Sequence, residues 1–196
     1  MRALRIAASL TLLAALAGAG IALAESPAIG SAAPGFQLTT TDGKPFSLAE
    51  AEKANKAVVL MFIATKCPVS NAYNDRMRDI AAEYGKKGIL FVGINSNKTE
   101  SESEFKSHAR EHGFGFTLAK DPGNKVADLY DAQHTPEIFV VAPDGKLVYH
   151  GRIDENQEEP AKVASPDLKN ALNNILAGQP VAKAQTKAFG CSIKRA

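Results

Sequence analysis

The chain has 196 residues, with 23 Lys and Arg against 21 Asp and Glu, two cysteines and no tryptophan. Arg2 and Arg5 lie at the N-terminus, so the rest of the chain sets 21 basic residues against 21 acidic ones. That balance argues against a nucleic-acid surface or a polybasic membrane patch, and the length suits one domain able to bury a core without staples.

The first segment is read apart from the fold. MRALR is basic, Ile6 to Ala24 carries no charge, and Ala22-Leu23-Ala24 has the small-x-small form of a signal-peptidase site. Residues 1–24 therefore read as a cleaved secretory signal, with an uncleaved membrane anchor as the rival. The expected location is exported, in the periplasm. No cysteine follows the apolar span, which excludes a lipidated anchor there.

Residues 25–34 are rich in Ala, Pro and Gly and read as a flexible lead-in. Thr41-Asp42-Gly43-Lys44 between two short runs predicts a hairpin, and Leu48 to Lys56 a short helix or turn. Ala57 to Ile63, AVVLMFI, is a continuous apolar run suited to a strand buried on both faces. After Pro68, the stripe Tyr73, Met77, Ile80, Ala81 and Tyr84 predicts one helix, capped near Gly85.

ILFVGINS, from Ile89, is a second buried strand. Ser101 to His112 is helical, with Ser101 and Glu104 placed as a capping box. GFTL follows as a short strand, then a short helix around Asn124 to Tyr130. EIFVVAPDGKLVYHG predicts a hairpin that turns at Pro143-Asp144-Gly145. The last helix spans Leu168 to Leu176, and residues 179–196 form a polar tail long enough to move. This order predicts an α/β domain over residues 35–178, with helices flanking a mixed sheet, an N-terminal hairpin and a C-terminal tail.

Cys67 carries the chemistry. It stands where a buried strand feeds a helix, with Pro68 at the first helical position, where no amide donor is needed. Amides at a helix start and the helix dipole favour a thiolate, which is the nucleophile of disulfide exchange and of reaction with peroxide. Lys66 is expected to add positive potential and Ser70 a hydroxyl hydrogen bond. A buried inert cysteine is the alternative.

The segments FIATKCPVSNAY, QHTPEIFVVAPDGKLVYHGRID and GCSIK, in this order, resemble the thioredoxin fold. More closely, they resemble its redoxin branch, the exported thioredoxin-like and peroxiredoxin-like proteins of the thiol-specific-antioxidant type. The resemblance spans roughly Pro34 to Lys194. It implies a cis peptide before Pro136, facing the Cys67 loop, with the Thr135 backbone pairing a substrate chain. It implies no cofactor. The expected partners are protein or small-molecule thiols and disulfides, with a membrane-bound electron donor as a candidate and no nucleic acid.

Two departures shape the functional expectation. Ser70 stands where thioredoxins carry a second cysteine, so release of a mixed disulfide falls to Cys191, to a glutathione-like reductant or to a partner thiol. A cycling Cys67–Cys191 pair, a static disulfide and two separate thiols all remain open. The peroxiredoxin pattern P-x-x-x-T-x-x-C is also broken, with Leu60 and Ala64 at the Pro and Thr positions, which implies weak peroxidase activity at best.

Metal delivery is the rival of a different class. His108 and His112 share a helix face among charges and read as solvated, and a Cys67/His134 pair has too few ligands, so no metal site is assigned. The expected activity is exported thiol–disulfide oxidoreduction, with Cys67 as attacking thiolate and Cys191 as resolving thiol. A weak thiol-dependent peroxidase and a copper-binding or redox-inert partner-binding domain are the alternatives.

Overall fold

The computed structural model describes residues 26–196, so the signal-peptide reading of residues 1–24 lies outside the described residues. The elements in chain order are β1 (Gln37–Thr39), β2 (Pro45–Ser47), α1 (Leu48–Ala54), β3 (Ala57–Phe62), α2 (Pro68–Ala72) and α3 (Asn74–Gly85). There follow β4 (Ile89–Asn95), α4 (Glu102–Glu111), β5 (Thr117–Lys120), α5 (Lys125–Leu129) and β6 (His134–Thr135). The chain closes with β7 (Glu137–Val141), β8 (Leu147–Gly151), α6 (Asp167–Leu176) and β9 (Cys191–Ser192).

Five strands form the central sheet in the order β5-β4-β3-β7-β8. β3, β4 and β5 run parallel, whereas β7 and β8 are antiparallel to their neighbours. All residues of β3 are buried, and their period-two alternation divides them between two cores. Val59, Met61 and Ile63 face Tyr73, Met77, Tyr84, Phe105 and Leu172, under α3, α4 and α6. Val58, Leu60 and Phe62 face the opposite way, toward Leu48, Val126, Tyr130 and Phe139, under α1 and α5. A continuous apolar run rather than an alternating one is what a strand covered on both faces requires.

Both sheet edges are covered, which removes unpaired strand backbone from solution. The β1–β2 hairpin reaches β5 through the Thr41 amide, 2.7 Å from the Leu118 carbonyl. On β8, the His150 amide donates to the Ala184 carbonyl at 2.9 Å, and the Thr186 amide donates to the His150 carbonyl at 3.0 Å. The tail is thus docked onto the domain, a placement that its polarity alone does not reveal. Its Val181 and Phe189 pack against one core and Ile193, 6 % exposed, against the other, so it crosses the end of the sheet.

Two further expectations change. The helix after Pro68 is interrupted at Tyr73, where the backbone amide turns back to the Ser70 carbonyl and α3 starts afresh. The Tyr73 hydroxyl is drawn inward to Asp154 at 2.9 Å, so its ring belongs to the core on different terms from the rest of the stripe. The short strand also begins two residues later than GFTL, at Thr117. The Ser101/Glu104 capping box forms as expected.

Candidate redox site

The register of the central sheet builds the site. Phe62 at the end of β3 pairs with Glu137 at the start of β7. The loop after β3 therefore lies beside Pro136, and the Thr135–Pro136 peptide is cis. Cys67 is the residue before α2 and is 3 % exposed. Its thiol donates to the Thr135 carbonyl oxygen at 3.2 Å and accepts from the Ser70 amide at 3.3 Å.

The tail completes the site. β9 pairs antiparallel with β6, Cys191 opposite Thr135 and Ser192 opposite His134. Thr135 thus touches both cysteines, its carbonyl accepting from the Cys67 thiol and its strand pairing with Cys191, and both cysteines are free. Hydrogen bonds hold the strand down on both sides: Ile193 N to Gln133 O at 2.9 Å, Lys98 N to Lys194 O at 3.0 Å, and Lys194 N to Asn97 Oδ1 at 2.8 Å. Gly190 has φ +146°, and a side chain there would collide with the Thr135 carbonyl. Only a glycine brings the tail backbone this close.

The two thiols differ electrostatically. Burial pushes the Cys67 thiol up, but the Cys191 thiol, the otherwise unpartnered Thr135 hydroxyl, and the Ser70 and Cys191 amides favour its thiolate and leave it below the ordinary value. Burial and the neighbouring Cys67 push Cys191 up. Of the two thiols, Cys67 is the more acidic.

Several assigned roles shift in detail. Pro68 occupies the first turn of α2 as expected. Ser70 acts through its amide rather than its hydroxyl, which accepts from the Ala64 amide at 3.2 Å. The Lys66 ammonium is bound to Glu104 at 2.9 Å and to the Thr99 carbonyl at 2.8 Å, so its charge is paired away from the thiol. Since α2 ends after five residues, direct amide donors rather than a long helix dipole stabilise the sulfur. Thr135 does expose its backbone beside Cys67, but that backbone is taken by Cys191 of the same chain.

Three buried acids that the sequence reading passed over support this arrangement. Glu100 accepts from the Thr65 amide at 2.8 Å and the Lys66 amide at 3.1 Å, bracing the loop just before Cys67. Glu137 accepts from the amides of Gln133 and His134 and from His150 Nε2, each within 2.8 Å, tying the cis-proline segment to β8. Asp154 holds Tyr73 and Arg76, with Arg76 Nη1 to Oδ2 at 2.8 Å and the guanidinium 3.9 Å above the Tyr73 ring. The only signal available for these acids was a lone Glu or Asp beside an apolar run or loop, which does not reveal its partners.

Among the described residues no group of three or more His, Cys, Asp or Glu is placed to hold a metal ion. His134 is near Glu137, with its Nδ1 3.9 Å from Oε2. His108 packs against His112 and Phe114, with ring centroids 4.4 and 5.8 Å away, so it is half-buried instead of solvated.

The sequence model of the AhpC/TSA family matches residues 29–150. The chain belongs to the AhpC/TSA, or redoxin, family. Peroxiredoxin Q of Oryza sativa subsp. japonica is 32 % identical over 147 residues, covering 71 % of this chain and 64 % of the relative. The match thus spans under two thirds of that longer protein. The thiol-disulfide oxidoreductase ResA of Bacillus subtilis is 30 % identical over 124 residues, covering 63 % of this chain and 67 % of the relative.

Among solved structures, a hypothetical protein from Sinorhizobium meliloti superposes with TM-score 0.80 and 30 % identity, covering 88 % of this chain and 97 % of that one. An uncharacterised conserved protein from Geobacillus kaustophilus does so with TM-score 0.80 and 35 % identity, covering 86 % and 93 %. The fold of this redoxin is thioredoxin-like, shared with a DsbE-like protein from Chlorobium tepidum at TM-score 0.61. The family match ends at His150, so Cys191 lies beyond it.

Proposed function

We propose that this redoxin is an exported thiol–disulfide oxidoreductase that cycles Cys67 and Cys191 between dithiol and disulfide. The observation that carries the reading is the pairing of Cys191 with Thr135, the residue whose carbonyl accepts from the Cys67 thiol. In the dithiol form one thiolate attacks a substrate disulfide, a mixed disulfide forms, and the first substrate thiolate leaves and takes up a proton. The second cysteine then attacks the protein sulfur of the mixed disulfide and expels the other substrate thiolate. Two electrons pass to the substrate and the Cys67–Cys191 disulfide closes. A thiol donor, which a membrane-bound reductant in the exported compartment would supply, reopens it.

A second reading is favoured by the burial of Cys67, which suits a small oxidant better than a protein chain. A hydroperoxide would oxidise the Cys67 thiolate to a sulfenic acid with loss of the alcohol or water. The Cys191 thiol would then condense with it, releasing water and closing the same disulfide. Relatives named peroxiredoxin Q fit this reading, whereas Ala64 in place of the family threonine weakens it.

The test is kinetic. Reduced protein is mixed with a protein disulfide such as insulin or with hydrogen peroxide, and disulfide closure is followed by mass. Closure at least tenfold faster with the protein disulfide at equal concentration supports the first reading. Faster closure with peroxide favours the second. Two free thiols after both oxidants would overturn both.

A further inference from the structure

The sequence reading makes Cys67 the sulfur that meets external partners and Cys191 the one that resolves. The geometry points to the reverse order: we infer that Cys191 is the port, the sulfur that carries the mixed disulfide with an external thiol, and that Cys67 is the internal sulfur that leaves and returns. The inference rests on the proposal that the two cysteines form a disulfide, and it holds for either oxidant that closes it.

Access carries the first half of the argument. Cys67 is 3 % exposed, while Cys191 is partly exposed on the tail strand laid over it. Cys67 lies beneath Cys191 and among Ser70 and Thr135, which are 0 % and 1 % exposed. Thiol–disulfide exchange needs a thiolate to reach one sulfur and push the other away along the S–S axis, so access to each sulfur decides which is attacked. Attack at Cys191 comes from the solvent side and expels Cys67 inward. Attack at Cys67 would have to reach a sulfur that is only 3 % exposed.

The leaving group carries the second half. A thiol of lower pKa leaves faster. Once expelled, Cys67 is received by the Ser70 amide, with the Cys191 amide and the buried Thr135 hydroxyl beside it. Cys191 has the Val69 amide and the charge of Lys194 near it, but burial and Cys67 push it the other way.

An external thiolate R–S⁻ attacks Cys191 Sγ; the R–S–S–Cys191 bond forms, the Cys67–Cys191 bond breaks, and the electron pair leaves on Cys67 as its thiolate. A second external thiolate attacks the R sulfur, yielding R–S–S–R and the Cys191 thiolate, which takes a proton. Two external thiols are oxidised and one protein disulfide is reduced. In the opposite direction Cys191 forms the mixed disulfide with substrate, and Cys67 attacks Cys191 Sγ to release the substrate thiolate. The partners that fit are accessible thiols of peptides or of glutathione-like molecules, which meet the tail strand without displacing it.

The test uses the full chain and glutathione as the probe. Glutathione disulfide is added to the Cys67→Ser and Cys191→Ser variants, and mass spectrometry follows the added glutathione. Cys67→Ser is expected to gain it on Cys191 at least tenfold faster than Cys191→Ser gains it on Cys67. Equal or inverted rates overturn the inference.

Should Cys191→Ser release the tail, wild-type protein decides. Its oxidised form is treated with reduced glutathione and quenched in acid at early times. Glutathione on the Cys191 peptide supports the port, and glutathione on the Cys67 peptide overturns it. Wild-type protein that forms no disulfide at all would fail the proposed function instead, so the two failures are distinguishable.

Discussion

Cys67 stands just before α2, in the loop that follows β3, a strand whose every residue is buried between two helical layers, whereas Cys191 stands in a two-residue strand of the tail. The first is held by the fold itself. The second is held by a handful of hydrogen bonds, one glycine and the side chain of Ile193. Segments with few buried apolar contacts open at lower free energy than core strands. The site therefore joins one sulfur on a rigid support to one on a strap that can open separately, which suits the proposed couple with Cys191 as its outer member.

The sharpest way to break this comparison is to remove the internal sulfur. Cys67→Ser is expected to abolish disulfide closure and lower catalysed disulfide reduction by at least ~100-fold, to the level of a non-specific thiol, read as insulin precipitation with a thiol donor. Activity within a few-fold of wild type would show that Cys191 works alone.

Next comes the rigid side. Phe139 is wholly buried against Phe62 and Tyr130, and its ring stacks on His150 with centroids 4.1 Å apart. Phe139→Ala is expected to cost about 3–5 kcal/mol in urea denaturation, the range for buried aromatic truncations. A cost under ~1 kcal/mol would mean that this core can collapse around the cavity.

The strap is tested at its contact points. Gly190→Ala sets a side chain against the Thr135 carbonyl in a backbone region that L-residues rarely adopt. Expected is at least a ~10-fold slower Cys67–Cys191 closure with global stability changed by under about 1 kcal/mol, because the strap is a separately opening unit. Unchanged closure would show that the tail reaches Cys67 by another route. Ile193→Ala should raise hydrogen exchange in residues 189–196 while leaving β3 protected; equal loosening of both would make strap and core one cooperative unit.

The smallest expected effect depends on pH. Burial pushes Glu137 up, but His150 and the amides of His134 and Gln133 outweigh it and leave its carboxyl below the ordinary value of 4.5. A carboxyl that ionises more readily in the folded than in the unfolded chain lends stability fully present above the unfolded value. That stability is lost as pH falls through the folded one. Glu137→Gln should therefore lower stability near neutral pH and flatten its fall below pH 4.5, measured as the urea midpoint against pH. An identical slope in both proteins would assign the acid sensitivity elsewhere, with Asp167 the next candidate.

Much of this was legible in the residues alone. AVVLMFI, the Cys67-Pro68 pair, the Ser101/Glu104 capping box and the Pro143-Asp144-Gly145 turn are local patterns, and each formed where the pattern placed it. The helix break at Tyr73 was not legible, because an apolar stripe does not record that one hydroxyl is drawn to Asp154, 81 positions away. The docking of the tail was not legible for a related reason. Its polarity is visible in the chain, but the backbone partners that dock it, Gln133, His150 and Lys98, are not.

The sequence by itself determined a cysteine between a buried strand and a helix, because apolar period and the place of a proline are properties of neighbouring residues. It also showed that the second thiol had to be distant, since Ser70 fills the nearby position. Only the tertiary structure decided that Cys191 comes to Cys67, that an amide and not the Ser70 hydroxyl meets the sulfur, and that the tail covers it. Most of those facts depend on strand register and on contacts between distant residues such as Thr135 and Cys191, and no local pattern encodes which distant backbone a polar tail will find.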